Sequence, residues 1–271
     1  MTKLIIRLIC FFSPSFMVKK AYEKLAFPQI KKLRPHEIRV LEKATSETVI
    51  FNNINLKTYR YLNSGPKIFL VHGWEGHGGN FADIIEALLD KNYHVFTFDA
   101  PSHGSSDRST NSLFDFPEAV QFLIQKEQPD HIISHSFGAV ATTYALYNNP
   151  TLHIKKYALL SNPDRFVDRV DFIAEQVGIT EKVKKRLLKK ITQETSQDIE
   201  RLSVSDFVQK ISVEKALIIH DKNDKIQPIR DPENVNNIWN KSTLEIIEGT
   251  GHFRMLRTDF VIHRIISFLN D

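Results

Sequence analysis

The chain has 271 residues, 42% hydrophobic and 25% charged, with 10 Gly, 11 Pro and one Cys. This ordinary globular composition is long enough to bury a core, and it excludes collagen-like, low-complexity and disordered classes. Cys10 has no partner, which removes disulfide scaffolds and cysteine metal sites, and the formal charge of +4 is spread too unevenly for a nucleic-acid-binding body.

Residues 1–36 hold eight cations (Lys3, Arg7, Lys19, Lys20, Lys24, Lys31, Lys32 and Arg34) and one acid, Glu23. The remainder holds 28 basic and 31 acidic residues, so the body is slightly acidic and the basic character belongs to a leader, residues 1–44. Such a leader suits weak contact of residues 1–36 with an anionic membrane. The alternative is an amphipathic helix lying on the body with its lysines in water. The apolar run Leu4–Phe12 is broken by Arg7, lacks an Ala-x-Ala cleavage site, and falls far short of the roughly 20 residues of a membrane span. It predicts a cytoplasmic protein, at most peripheral to the membrane. From Ser13, with Pro14 at the first helical position, Val18, Ala21, Tyr22 and Leu25 share one helical face.

Beyond residue 45 the pattern changes. Thr45–Phe51 and Ile54–Leu62 read as a hairpin across Asn52-Asn53. Strands follow at Lys67–Val71, Tyr93–Phe98, His131–Ser134, Lys156–Ser161, Ala216–His220 and Thr243–Glu248. Helices are predicted at Asn80–Lys91, Pro117–Lys126, Phe137–Tyr147 and Phe253–Leu269. The alternation predicts an α/β fold: a mainly parallel, doubly wound sheet with an antiparallel N-terminal hairpin. Residues 162–212 interrupt it with helical patterns and a basic cluster at 182–190, and read as an inserted helical cap within a domain at 45–271.

Ser134-His135-Ser136-Phe137-Gly138 joins a strand to a helix. Such an elbow exposes a serine hydroxyl and demands small residues two positions either side of it. Ser134 stands where glycine is usual. A nucleophilic serine needs a base. His252, after Gly251 in a loop past the last strand, is placed where open α/β sheets build their sites. The base in turn needs an orienting carboxylate. Asp224 is the better candidate, and Asp221, almost on the strand end, can simply shape the turn. Val71-His72-Gly73-Trp74 ends another strand, so the N–H groups of Trp74 and Phe137 can serve as oxyanion donors. His72, Gly73 and His135 are expected beside the substrate. Asp99-Ala100-Pro101-Ser102-His103-Gly104-Ser105-Ser106 reads first as a well-bonded loop.

Together these segments, in this order, resemble the α/β-hydrolase fold family over roughly residues 45–271, on its serine esterase, lipase and thioesterase side. The resemblance implies a Ser136–His252–Asp224 triad and an acyl-enzyme released by water, with no metal or organic cofactor needed. It implies a small-molecule ester or thioester as substrate. Relatives that open epoxides or displace halide use an aspartate nucleophile, and here the elbow holds Ser136. Two alternatives stay open: an acyltransferase on the same fold, and a non-catalytic small-molecule-binding protein.

Overall fold

The structure, a computed structural model, describes residues 3–29, 33–195 and 198–271. Lys31 and Lys32 of the basic leader lie outside the described residues. The described chain begins with α1 (Lys3–Phe12), α2 (Pro14–Ala26) and α3 (Pro35–Glu42), followed by the hairpin β1 (Thr45–Phe51) and β2 (Ile54–Tyr61). Strands then alternate with helices: β3 (Lys67–Val71), α4 (Ala82–Asp90), β4 (His94–Phe98), α5 (Ser112–Glu127), β5 (His131–His135), α6 (Phe137–Asn148) and β6 (His153–Leu160). A helical excursion, α7 (Phe166–Val177), α8 (Glu181–Thr195) and the short α9 (Val204–Phe207), precedes β7 (Ser212–Asp221). The chain closes with α10 (Arg230–Ile238), β8 (Ser242–Ile247), α11 (Gly251–Arg254) and α12 (Asp259–Asn270).

The eight strands form one sheet in the order β1-β2-β4-β3-β5-β6-β7-β8. The β1–β2 and β2–β4 pairs are antiparallel and all others are parallel. Period-two alternation splits the core in two. On β3, Phe69 and Val71 bury toward α5 and α6, whereas Ile68 and Leu70 bury toward α4 and α12. Each side chain so buried contributes about 1.5–3 kcal/mol, which explains why the central strands are apolar on both faces.

Several boundaries differ from expectation. The helix expected from Pro117 begins at Ser112, with Pro117 inside it; burial of Leu113 and Phe116 on the added turn offsets the backbone bond that proline cannot donate. The expected closing helix is broken at Thr258, whose backbone is extended and whose hydroxyl donates to the Arg254 carbonyl at 2.9 Å. As a result His252 lies on the short helix α11 rather than in a loop. The leader divides as well: α3 buries Val40 and Leu41 in the core beside α4, whereas α1 and α2 pack on α7 and α8.

Candidate active site

The site forms where the sheet changes direction. From β3 the chain steps one way to β4 and then crosses back to β5, which opens a crevice at the C-terminal ends of those strands. Ser136 follows β5 with φ +52° and ψ −121°, a backbone conformation that non-glycine residues adopt only under constraint. The constraint is packing. A Cβ on Gly138 would come within 2.4 Å of the Val71 and His72 carbonyl oxygens, so only glycine lets α6 approach β3. Ser134, at the other small position, is fully buried, and its hydroxyl donates to the Tyr157 hydroxyl at 2.8 Å. Serine is accommodated there because its one polar atom has a partner. Gly138→Ala should therefore lower stability by about 1–3 kcal/mol or more, seen as a lower Tm; an unchanged Tm would mean the elbow can relax.

Ser136, His252 and Asp224 stand in one hydrogen-bonded line. Ser136 Oγ lies 3.0 Å from His252 Nε2, and His252 Nδ1 lies 2.7 Å from Asp224 Oδ2. Burial alone would raise the Asp224 pKa, but hydrogen bonds from His252 and from the backbone of Gln227 and Ile226 draw it down to about 2. Asp224 is thus an ionised acceptor, so Nδ1 of His252 carries the ring proton and Nε2 is left to accept from Ser136. Asp221 does different work. Its Oδ2 accepts from Thr250 N at 2.5 Å, Thr250 Oγ1 at 2.9 Å and Gly251 N at 2.7 Å. It ties the end of β7 to the segment that carries His252.

The loop after β3 is a turn closed by Gly76 N donating to Gly73 O at 3.0 Å, with Glu75 at φ +59°. The backbone N–H groups of Trp74 and Phe137 enter no turn or cap hydrogen bond among the described residues. The Trp74 ring packs edge-on against Phe137 and His103. His72 is fully buried, its Nε2 accepting from Ala100 N at 3.0 Å and its Nδ1 lying 2.7 Å from the Gly73 carbonyl. It joins the loops after β3 and β4. Burial, and then the neighbouring His103, hold its pKa well below the usual histidine value, so it is neutral.

Gly73 and His135 border a second cavity of about 250 Å³ instead of the one that reaches Ser136. Trp74 lines both cavities, and the rings of His72 and His135 hold backbone around the site. Burial holds the His135 pKa at about 3, and its Nε2 donates to the His252 carbonyl at 2.8 Å. A sequence cannot display this bond, which spans 117 positions. The segment after β4 is the well-bonded loop expected: Asp99 accepts from Gly78 N, Ser105 N and the Tyr59 hydroxyl, and burial raises its pKa.

Ser136 opens into a largely apolar cavity of about 330 Å³. Its wall includes Phe166, Val170 and Ile173 of α7, Leu187 of α8, and Ala21 and Leu25 of α2. The wall residues on α2 were not anticipated as part of the site. Their signal was present: both lie on the apolar face of the leader helix, but nothing local says what that face covers. Arg169, also on the wall, donates through Nη1 to the Ile226 carbonyl at 2.6 Å and so anchors α7 to the turn holding Asp224. Among the described residues, no group of three His, Cys, Asp or Glu side chains is placed to hold a metal ion, and no helix is long and apolar enough to cross a membrane.

The sheet order, the strained serine after β5 and the loop geometry define the α/β-hydrolase fold, and residues 66–189 match the family model described as alpha/beta hydrolase fold. The chain has the α/β-hydrolase fold. Among individual proteins, it is 29% identical over 111 residues to a pimeloyl-[acyl-carrier protein] methyl ester esterase of Xanthomonas campestris pv. campestris. That match covers 41% of this chain and 42% of the relative, so the aligned region spans less than half of the esterase. Two solved structures share the fold at low identity. Esterase Pf2001 of Pyrococcus furiosus has a TM-score of 0.61 at 18% identity, covering 91% of this chain and 97% of its own. The thioesterase domain of the curacin biosynthetic pathway has a TM-score of 0.61 at 17% identity, covering 83% of this chain and 99% of its own.

Proposed function

We propose that the protein is a serine hydrolase that cleaves a carboxylic ester or thioester through an acyl-enzyme on Ser136. The observation that carries this reading is the line from Ser136 Oγ to His252 to the ionised Asp224 at the mouth of an apolar cavity. Ser136 attacks the substrate carbonyl carbon while His252 Nε2 takes its proton, and Asp224 holds the imidazolium. The N–H groups of Trp74 and Phe137 receive the negative charge that develops on the carbonyl oxygen. The tetrahedral species collapses, the carbon–oxygen or carbon–sulfur bond breaks, and His252 gives its proton to the departing alcohol or thiol. Water, deprotonated by His252, then attacks the acyl-serine, and Ser136 recovers its proton as the acid leaves. The relative's ester substrate is consistent with the same bond type.

We further propose that residues 162–212 act as a cap over the acyl pocket and that the basic leader meets an anionic membrane from the cytoplasmic side. The apolar wall contributed by α7 and α8, and the cations of α1 and α2, support these assignments. An acyltransferase would share the acyl-enzyme, with an alcohol or thiol replacing water.

A fluorophosphonate probe and a chain-length series of activated esters and acyl thioesters test the reading together. The expected result is covalent labelling of Ser136 and turnover that rises with chain length until the cavity is filled. A native protein that takes no label would overturn the hydrolase reading in favour of a binding protein.

A further inference from the structure

Helix α1 is apolar on two sides, and only one is covered. Ile6, Ile9 and Cys10 pack on Ile179 and Val183 of the cap. Leu4, Ile5, Leu8, Phe11 and Phe12 face solvent, and Phe16 at the start of α2 continues the strip. Phe11 and Phe12 are 78% and 79% exposed. A contiguous apolar face of this kind marks an interaction surface.

Its surroundings select the occupant. Lys3 and Arg7 on α1, and Lys19 and Lys20 on α2, are exposed beside the strip. Helix α2 packs along α8, where Lys182, Lys185, Arg186 and Lys189 are exposed. Glu23 is the single acid on α1 and α2, and it is paired with Lys20 at 2.8 Å. A second copy of the chain seated on this face would bring its own cations against these and be repelled. A bilayer with anionic headgroups supplies an apolar interior for the aromatic strip and opposite charge for its rim.

The strip also adjoins the Ser136 cavity. Ile179 packs in the cluster beneath α1 and lines the cavity as well. Val177, on the same wall, is itself partly exposed. Between them Gly178, at φ +87°, lies so close to α1 that a Cβ there would come 3.0 Å from the Lys3 carbonyl oxygen. The helix bearing the exposed strip is therefore seated on the turn that forms one end of the cavity.

We propose that the outer face of α1, with its rim of cations, seats on an anionic lipid surface, and that the Ser136 cavity takes its acyl ester from that surface. The supply of substrate rests on the hydrolase reading above; the seating does not. Co-sedimentation of the full chain with phosphatidylglycerol-containing vesicles tests it, against pure phosphatidylcholine vesicles and the double variant Phe11→Glu/Phe12→Glu. The native chain should bind the anionic vesicles and be released by salt. The double variant should partition roughly 100-fold less, because two exposed aromatic anchors become charged. Its hydrolysis of a short, water-soluble ester should equal that of the native chain, whereas hydrolysis of a long-chain ester carried in the vesicles should drop about tenfold or more. Equal partition of both forms would overturn the proposal. So would a native dimer that the double variant dissociates without any vesicle binding, since a second copy would then be the occupant. Vesicle binding by a native chain that hydrolyses neither ester would overturn the hydrolase reading and the supply of substrate with it.

Discussion

Ser136→Ala should abolish fluorophosphonate labelling and lower ester turnover by about a millionfold. The size of the effect follows from the step that is lost. Without Oγ no acyl-enzyme forms, and His252 and the oxyanion donors are left to assist direct attack by water, which retains only about 10³–10⁴-fold catalysis over the uncatalysed reaction. Substrate binding should change little, because the cavity wall is built from α2, α7 and α8 and the hydroxyl contributes almost no surface to it. Labelling, kcat and KM measured together decide the matter. A variant that keeps more than a few per cent of the native turnover would mean that Ser136 is not the nucleophile.

The second large effect separates two neighbouring aspartates. Asp224→Asn should reduce kcat by about 10⁴-fold. An amide can offer its N–H₂ to Nδ1 and favour the tautomer with the proton on Nε2, where it no longer accepts from Ser136. Asp221→Asn should act mainly on stability, at about 1–3 kcal/mol, because its carboxylate holds Thr250 and Gly251 and does not touch the imidazole. The reverse ranking of the two variants in kcat would overturn the assignment. Acid titration gives an independent reading. The pKa of Asp224 is about 2 in the folded chain, below its ordinary 3.8. A depressed carboxylate pKa stabilises the folded state above the unfolded value, and the contribution is lost as the pH falls toward 2. It amounts to about 2 kcal/mol at neutral pH. Denaturant melts at pH 5 and at pH 2.5 should show a smaller loss of stability for Asp224→Asn than for the native chain.

The motifs were legible because each is a short-range pattern. A strand followed by a turn needs only a few residues to be recognised, and in a parallel sheet the C-terminal strand ends all lie on one edge. Ser136, Asp224 and His252 could therefore be assigned to a common edge although 116 positions separate the first from the last. Ser134 could be accepted in place of glycine on size alone; the hydroxyl of Tyr157 that satisfies it could not be foreseen. The bonds that His72 and His135 make were not legible, for a physical reason. Both sit next to site residues in the chain, but their ring partners lie on distant segments, the Ala100 N–H for His72 and the His252 carbonyl for His135. Burial keeps both neutral, and their ring nitrogens hold backbone.

The leader shows the same division. Its charge, its helical spacing and its apolar faces are properties of consecutive residues, and they determined that 14–26 would be an amphipathic helix with a basic outer side. What that helix covers is a matter of which distant apolar surface fits it. Only the tertiary structure decided that α2 closes the Ser136 cavity, that α3 belongs to the core, and that α1 keeps an aromatic face in solvent. Composition and periodicity determine which side chains must leave water, because that depends on each residue and its neighbours. Which partner buries them depends on shape complementarity between segments far apart in the chain, and that is decided only when the chain packs.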